Sequence, residues 1–283
     1  MQTQIVPECI CGSDQASAQL LIRGFSGYPY RNAYRCTKCQ SICLYPAPLN
    51  NTYNKADYMS FINWKEYLGY FLGIYNPVSK YIEPSHSAPG VRTLLDYGCG
   101  SSRYAEYFRL AGYKAFGFDI NDQLVNRLEN CQSSPSQKIY FSDYTKAVKN
   151  GPYDVVLCNQ VIEHVNSPLK LLQDISQVIH SGSHIIITTP SCKSINRKLL
   201  RSKWIGYSPD EHIWLLSEAG MKQLATYAGL RVIASISNSC CGKKYDYFSP
   251  RRSLVAKLYY KIVMPIFEWT GYGDQIIFVL KHA

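Results

Sequence analysis

Leu94-Leu95-Asp96-Tyr97-Gly98-Cys99-Gly100-Ser101-Ser102-Arg103 carries an apolar run through two glycines into a helical pattern. This is a buried strand turning sharply into a helix, because glycine tolerates the turn and lets a ligand approach main-chain N–H groups. Working outward, further strand-like runs stand at Thr93–Tyr97, Lys114–Phe118, Lys138–Phe141, Asp154–Cys158, His184–Thr188, Leu230–Ser235 and Gln275–Leu280. Helical patterns fit between them at 102–111, 121–131, 167–180 and 217–228. Ser167 before Pro168 opens the third, and Ser217 before Glu218 caps the fourth. The alternation predicts an α/β fold: a doubly wound, mostly parallel seven-stranded sheet covered on both faces.

The chain has 283 residues, a length that suits one large α/β domain plus a small module. With 46% hydrophobic and 18% charged residues it is globular, which excludes wholesale disorder and collagen-like arrays. Thirty Lys and Arg against twenty Asp and Glu leave a charge of +10. Such a surface favours anionic partners: nucleotides, phosphorylated sugars, RNA or acidic lipid. Eleven cysteines, an odd count, are too few for a disulfide scaffold of this size. They point to a reducing compartment in which some thiols hold metal. The start, Met1 to Cys9, has neither a basic nor an apolar leader segment, and no apolar run approaches the roughly 20 residues of a membrane span. The expectation is a cytoplasmic chain.

Composition divides the chain into three zones. Residues 1–50 hold Cys9-Ile10-Cys11-Gly12 and Cys36-Thr37-Lys38-Cys39. Four thiolates at that spacing fit a tetrahedral, structural Zn²⁺ on Cys9, Cys11, Cys36 and Cys39, with the metal serving as the core of so short a module. Cys43 is a packing residue beside it. Residues 51–90 are aromatic (Tyr53, Tyr58, Phe61, Trp64, Tyr67, Tyr70, Phe71 and Tyr75) and read as one or two helices closed by a turn over 83–90. They are expected to cover an acceptor site, with Tyr53 and Tyr58 in its lining. Residues 91–283 form the sheet domain.

Gly-x-Gly alone is a weak signal, but Arg103 stands where a dinucleotide fingerprint wants a third small residue, which argues against NAD or FAD. Asp96, two residues before the first glycine, can meet a cationic or amino-bearing ligand. Asp119 closes the second strand, where a carboxylate accepts both hydroxyls of a ribose. Asp143 follows the third strand, placed for an exocyclic amine, and Asn159-Gln160 end the fourth. Ligands in an open α/β sheet bind outside the carboxyl ends of the strands, where these positions converge.

The ordered set D-Y-G-C-G, F-D-I-N, F-S-D-Y and Y-D-V-V-L-C-N-Q-V-I-E-H-V resembles the class I S-adenosylmethionine-dependent methyltransferases, over roughly residues 91–283. The resemblance implies a Rossmann-like methyltransferase fold, with Asp274–Lys281 as a final antiparallel strand. It implies that Gly98, Cys99 and Gly100 surround the methionine part of the cofactor. Asp119 would hold the ribose, Ile120 the adenine face, and Asp143 with the adjoining Tyr144 the adenine side; Asn159 or Gln160 would lie near the methionyl group. Ser102 departs from the third glycine of many members. The cysteine module, aromatic stretch and sheet domain together resemble bacterial methyltransferases of sugars and small metabolites. Nucleotide-sugar C-methyltransferases are among these, though their extra C-terminal domain is missing.

Methyl transfer is an in-line displacement that needs an aimed, often deprotonated nucleophile. His212 with Glu211, in the loop after the fifth strand, and His164 beside Glu163 are the acid–base candidates, since histidine titrates near neutrality. Lys193, Arg197, Lys198, Arg201 and Lys203, and then Lys243, Lys244, Arg251, Arg252, Lys257 and Lys261, concentrate the positive charge. They suit a small-molecule acceptor that is anionic, such as a nucleotide-linked or surface-polysaccharide sugar. Residues 254–267 can rest on a membrane surface, though Pro265 is expected to break that helix and favour packing on the core. An RNA methyltransferase is the rival enzyme. It is disfavoured because residues 1–50 hold only Arg23, Arg31, Arg35 and Lys38 as cations and no N-P-P-Y motif follows the fourth strand. A non-catalytic cofactor-fold binding protein is the other alternative, and the intact acids oppose it.

Overall fold

Leu94 and Leu95 are adjacent and both fully buried, yet they enter different apolar layers, as strand geometry requires when both faces of a sheet are covered. The same alternation runs through Val155–Val156–Leu157 and Ile185–Ile186–Ile187. The computed structural model describes residues 8–14, 17–48, 64–83, 90–101, 104–130, 138–239 and 258–283. Tyr53, Tyr58, Phe61, Ser102, Arg103, Lys243, Lys244, Arg251, Arg252 and Lys257 lie outside the described residues.

Seven strands form the main sheet: β4 (Thr93–Tyr97), β5 (Lys114–Phe118), β6 (Tyr140–Phe141), β7 (Tyr153–Asn159), β8 (Ile179–Pro190), β10 (Leu230–Asn238) and β11 (Gln275–His282). Their spatial order is β10-β11-β8-β7-β4-β5-β6, and β11 runs antiparallel to both its neighbours. The predicted sheet and its final antiparallel strand are therefore present. Helices α1 (Trp64–Ile82), α2 (Tyr104–Leu110) and α3 (Asp122–Asn130) are set on one face. Helices α4 (Tyr144–Asn150), α5 (Pro168–Gln177) and α7 (Glu218–Tyr227) are set on the other. Ser167 and Ser217 cap α5 and α7 as expected, accepting from Lys170 N at 3.3 Å and Gly220 N at 2.9 Å.

Three expectations need correction. The first fifty residues do not use a metal as their only core. Strands β1 (Ala18–Phe25), β2 (Tyr28–Cys36) and β3 (Ile42–Tyr45) form an antiparallel sheet that takes β9 (Trp214–Leu215) as its fourth strand. Phe25, Ala33, Ile42 and Leu44 pack there against Trp204, Tyr207 and Leu215, so the segment after β8 completes its core. That segment is also not a plain loop: it holds α6 (Ile195–Leu200) and two short helical turns before β9. Pro265, in turn, does not break its helix. It lies just past a π-helical turn (Tyr259–Val263), and the helix runs on through α8 (Met264–Trp269).

Pro77 inside α1 has no N–H for the Gly73 carbonyl one turn earlier. The Asn238 side chain, at the end of β10, supplies that donor at 2.7 Å. Asn238→Ala leaves the carbonyl without a partner in a largely buried setting and is expected to lower unfolding free energy by about 1–3 kcal/mol, measured by denaturant titration.

Candidate active site

The carboxyl ends of β4, β5, β6 and β7 stand in register, which brings the predicted acids to one sheet edge. Gly98 and Gly100 leave β4 with φ of +73° and +50°. The amides of Gly98 and Cys99 both donate to the Phe118 carbonyl, at 2.8 and 2.9 Å, tying the turn to the end of β5. A Cβ on Gly98 would lie 2.5 Å from Val161 Cγ2, so both backbone angle and space require glycine.

Asp119 faces this turn. Its two oxygens accept from Gly100 N and Asn121 N, each at 2.9 Å, which fixes the carboxylate while leaving lone pairs for an incoming diol. Burial pushes its pKa up, opposed by those amide bonds. Asp96 is 1% exposed and neither of its oxygens has a hydrogen-bond partner. Burial, with the Asp119 charge nearby, drives its pKa well above the usual carboxylate range. An unpartnered buried carboxylate is costly, and a cationic or donor group arriving at the turn removes that cost.

Ile120 is 66% exposed beside Asp119, an apolar face against which a planar ring can rest. Asp143 is exposed at the end of β6 and caps α4, accepting from Thr145 Oγ1 at 2.7 Å and Thr145 N at 2.9 Å. These bonds hold its pKa low. Asn159 Oδ1 accepts from Thr188 Oγ1 at 2.5 Å, and Gln160, with φ of +57°, donates through Nε2 to the same hydroxyl at 3.2 Å. Two expected contacts are directed elsewhere. The Cys99 side chain is buried in the core, leaving only its backbone at the turn. Tyr144 donates to the Asp174 carbonyl at 2.7 Å and packs on Tyr97 and Phe118, because α4 begins there and its first turn leans over the sheet.

Residues 71–235 match the family model described as a methyltransferase domain. The chain belongs to this methyltransferase-domain family. It is 27% identical over 128 residues to a ubiquinone biosynthesis O-methyltransferase of Methylococcus capsulatus, a match covering 44% of this chain and 52% of that protein. A protein of the same name from Xanthomonas campestris is 28% identical over 119 residues, 40% of this chain and 49% of the relative. The chain thus spans about half the length of the curated relatives it matches. Among solved structures, magnesium protoporphyrin IX methyltransferase from Synechocystis PCC 6803 with bound SAH superposes with a TM-score of 0.53. The identity there is 16%, over 82% of this chain and 97% of that one. A SAM-dependent methyltransferase from Archaeoglobus fulgidus gives 0.50 at 18% identity, over 80% and 96% of the two chains. These likenesses establish the fold.

In this methyltransferase domain, a second cluster stands past the ends of β7 and β8. Glu163, His164 and His212 each offer an atom within 4.8 Å of the others. Glu163 is fully buried: one oxygen accepts from Thr189 Oγ1 at 3.0 Å and the other has no partner. Burial raises its pKa to about 8. The His164 and His212 rings meet edge to face at 4.6 Å. His212 Nδ1 must donate to the Gly206 carbonyl, 3.0 Å away, so its Nε2 carries the lone pair. His164 turns one nitrogen to the backbone carbonyl of Glu211, which enters the cluster through its main chain. Geometrically the three side chains also suit a cation.

Arg31 was not legible as a site residue. It is 0% exposed and donates to the carbonyls of Pro46 at 2.7 Å, Leu44 and His212 at 3.0 Å, and Pro209. It is one of two arginines in β2, with Arg35, and nothing in the local pattern sets it apart.

The N-terminal segment, outside the residues matched as a methyltransferase domain, gathers the four predicted thiols. Cys9 and Cys39 sulfurs are 3.5 Å apart, Cys11 and Cys36 sulfurs 3.8 Å, and all four lie within 4.8 Å. Tetrahedral zinc at about 2.3 Å from each sulfur requires sulfurs about 3.8 Å apart, so the set fits. The C-x-C pair turns as its longer counterpart does: Gly12 N donates to Cys9 O at 2.8 Å and Gln40 N to Cys36 O at 2.9 Å. The hydrogen bond from Cys9 brings Cys39 down to about 5, while burial lifts Cys43 to about 12, leaving it a packing residue.

Burial depresses both histidines, His164 to about 4 and His212 well below the ordinary value. Each is therefore neutral in the folded protein through the range where a free imidazole takes its proton. Their Cε1–H resonances are expected to hold still between pH 7.5 and 5.5 in an NMR titration; a shift of either through that range would contradict the buried, neutral state.

Proposed function

We propose that this chain transfers a methyl group from S-adenosylmethionine to a hydroxyl of a small, anionic acceptor, most simply a sugar carried on a phosphate. The observation that carries the reading is the buried, unpartnered Asp96 carboxylate beside the Gly98–Gly100 turn and Asp119. That arrangement asks for a ligand with both an amino group and a diol. Bound there, S-adenosylmethionine supplies a sulfonium methyl open to in-line attack. Asp96 answers the amino group, Asp119 the ribose hydroxyls, Ile120 the adenine face, Asp143 the adenine amine, and Asn159 with Gln160 the methionyl end.

His212 is the proton acceptor. Its Nδ1–H is fixed on Gly206, so Nε2 takes the proton as the acceptor hydroxyl attacks; His164 shields it from water. The relatives' designation as O-methyltransferases supports oxygen as the methyl acceptor. Exposed Lys193, Lys198, Arg201 and Lys203 follow β8 at the same edge and suit a phosphate-bearing acceptor. Cys9, Cys11, Cys36 and Cys39 hold one structural zinc, because a set of four thiolates leaves no open coordination position.

Asp119→Ala should weaken S-adenosylmethionine binding more than tenfold by calorimetry, since each charge-assisted bond is worth roughly 1.5–3 kcal/mol; unchanged affinity removes the assignment. His212→Asn should cut turnover by about 10²–10⁴-fold with cofactor affinity nearly intact. Full turnover in the stable variant would pass the base role to Glu163 and His164. Freshly purified protein should carry about one zinc per chain, lost in Cys36→Ser, as metal analysis will show.

A further inference from the structure

The helix that runs from a π-helical turn (Tyr259–Val263) into α8 is apolar on two sides. Its inner side is accounted for: Met264 is fully buried and lies 3.7 Å from Asn196 Nδ2, while Tyr259 donates to Asn196 Oδ1 at 2.6 Å. Its outer side is not. Leu258, Ile262, Ile266 and Trp269 recur every three or four residues and all face solvent, Ile262 at 56%, Ile266 at 55% and Trp269 at 89%. α6 extends this surface. Ile195 N donates to the Tyr272 carbonyl at 3.0 Å, Lys198 Nζ lies 4.5 Å from the Tyr272 ring centroid, and Leu199 is 64% exposed.

A helix of a globular protein normally turns its polar side to water, and a contiguous apolar face of this kind marks an interaction surface. Its charge selects the occupant. Lys198 stands against Tyr272 at its edge, exposed Arg201 and Lys203 follow α6 in sequence, and no acid occurs between Ser191 and Ser208. From 250 to 273 the one acid is Glu268. A second copy of the chain would bring like charges together, whereas anionic lipid headgroups complement them. Among the described residues no helix is long and apolar enough to cross a membrane, so the geometry suits lying on a bilayer, with Trp269 at headgroup depth.

We propose that the face formed by Leu199, Leu258, Ile262, Ile266 and Trp269 docks on an anionic bilayer surface, with Lys198, Arg201 and Lys203 among its headgroups. α6 follows directly from β8, and Thr188 and Thr189 at the end of that strand touch Asn159 and Glu163. Docking therefore holds the edge of the sheet that carries the candidate site close to the lipid. This surface stands independently of the acceptor and cofactor assignments.

The test is co-sedimentation of the full chain with vesicles of phosphatidylcholine alone, or with 30% phosphatidylglycerol, at low and high salt. Binding is expected to the anionic vesicles, to fall at high salt, and to drop at least tenfold in Ile266→Glu/Trp269→Glu. Because those side chains touch solvent, thermal unfolding and S-adenosylmethionine affinity of the variant should match the parent. The milder Ile262→Ser should give an intermediate loss. Absence of binding to anionic vesicles, or equal binding by parent and variant, overturns the proposal. So does a concentration-dependent dimer in sedimentation velocity that the same substitutions abolish, which would assign the face to a second copy.

Discussion

Among the described residues no carboxylate is hydrogen-bonded to Arg31, which projects from the middle of β2, and four backbone carbonyls take its guanidinium donors. Two belong to the N-terminal sheet, Leu44 and Pro46, and two to the segment before β9, Pro209 and His212. A fully buried guanidinium is tolerated only when its donors are taken, so the two segments hold each other in place through it. The β3–β9 pairing continues the same junction, and the Glu163 carbonyl accepts from Ile213 N at 2.7 Å and Trp214 N at 3.1 Å. The cysteine-bearing sheet is in this way the scaffold on which the His164–His212 cluster is built. It connects the thiol cluster to the two imidazoles by position, with no thiol near them required.

The second constraint is the parallel sheet. β5 and β6 lie on one side of β4 and β7 on the other, so the chain reverses its direction of travel across the sheet at β4. A crevice forms at that point, outside the carboxyl ends. Asp96, the two glycines and Asp119 occupy it because each lies within a few residues of a strand end. Their roles then differ by burial: Asp96 lacks any partner in the fold, Asp119 is half committed to the turn, and Asp143 caps a helix in solvent. Three similar residues are thus separated into a buried carboxyl with no hydrogen-bond partner, a carboxylate that fixes the turn, and an exposed helix cap.

A helix with one apolar side on the protein and another in water is unusual enough to need a partner. Here it adjoins the basic segment after β8, which also borders the site. The same positive charge can therefore serve two ends, holding the chain against headgroups and drawing an anionic acceptor towards the sheet edge. The two are separable, because the apolar residues contribute to the first and not to the second.

The strand and glycine turn that begin at Leu94, the places of the seven strands along the chain and the acids at their ends were all legible in the sequence, since they depend on short apolar runs bounded by turns and on glycine's backbone freedom. The four thiols were legible for a similar local reason: two short-bite pairs either converge on a metal or have no reason to be pairs. The tertiary structure alone decided the rest. Nothing local in Tyr28–Cys36 says that Arg31 will meet carbonyls 178 and 181 residues away, or that β3 will find a partner in Trp214–Leu215. Tyr144 and Cys99 sit beside true strand-end positions, yet their side chains turn into the core, which only packing can choose. His212 was read as a histidine of the loop after the fifth strand; the fold buries it and keeps it neutral, while the Gly206 carbonyl fixes its tautomer. Local sequence sets backbone direction and periodicity, whereas burial and hydrogen-bond partners come from residues distant in the chain, and it is burial that gives these side chains their chemistry.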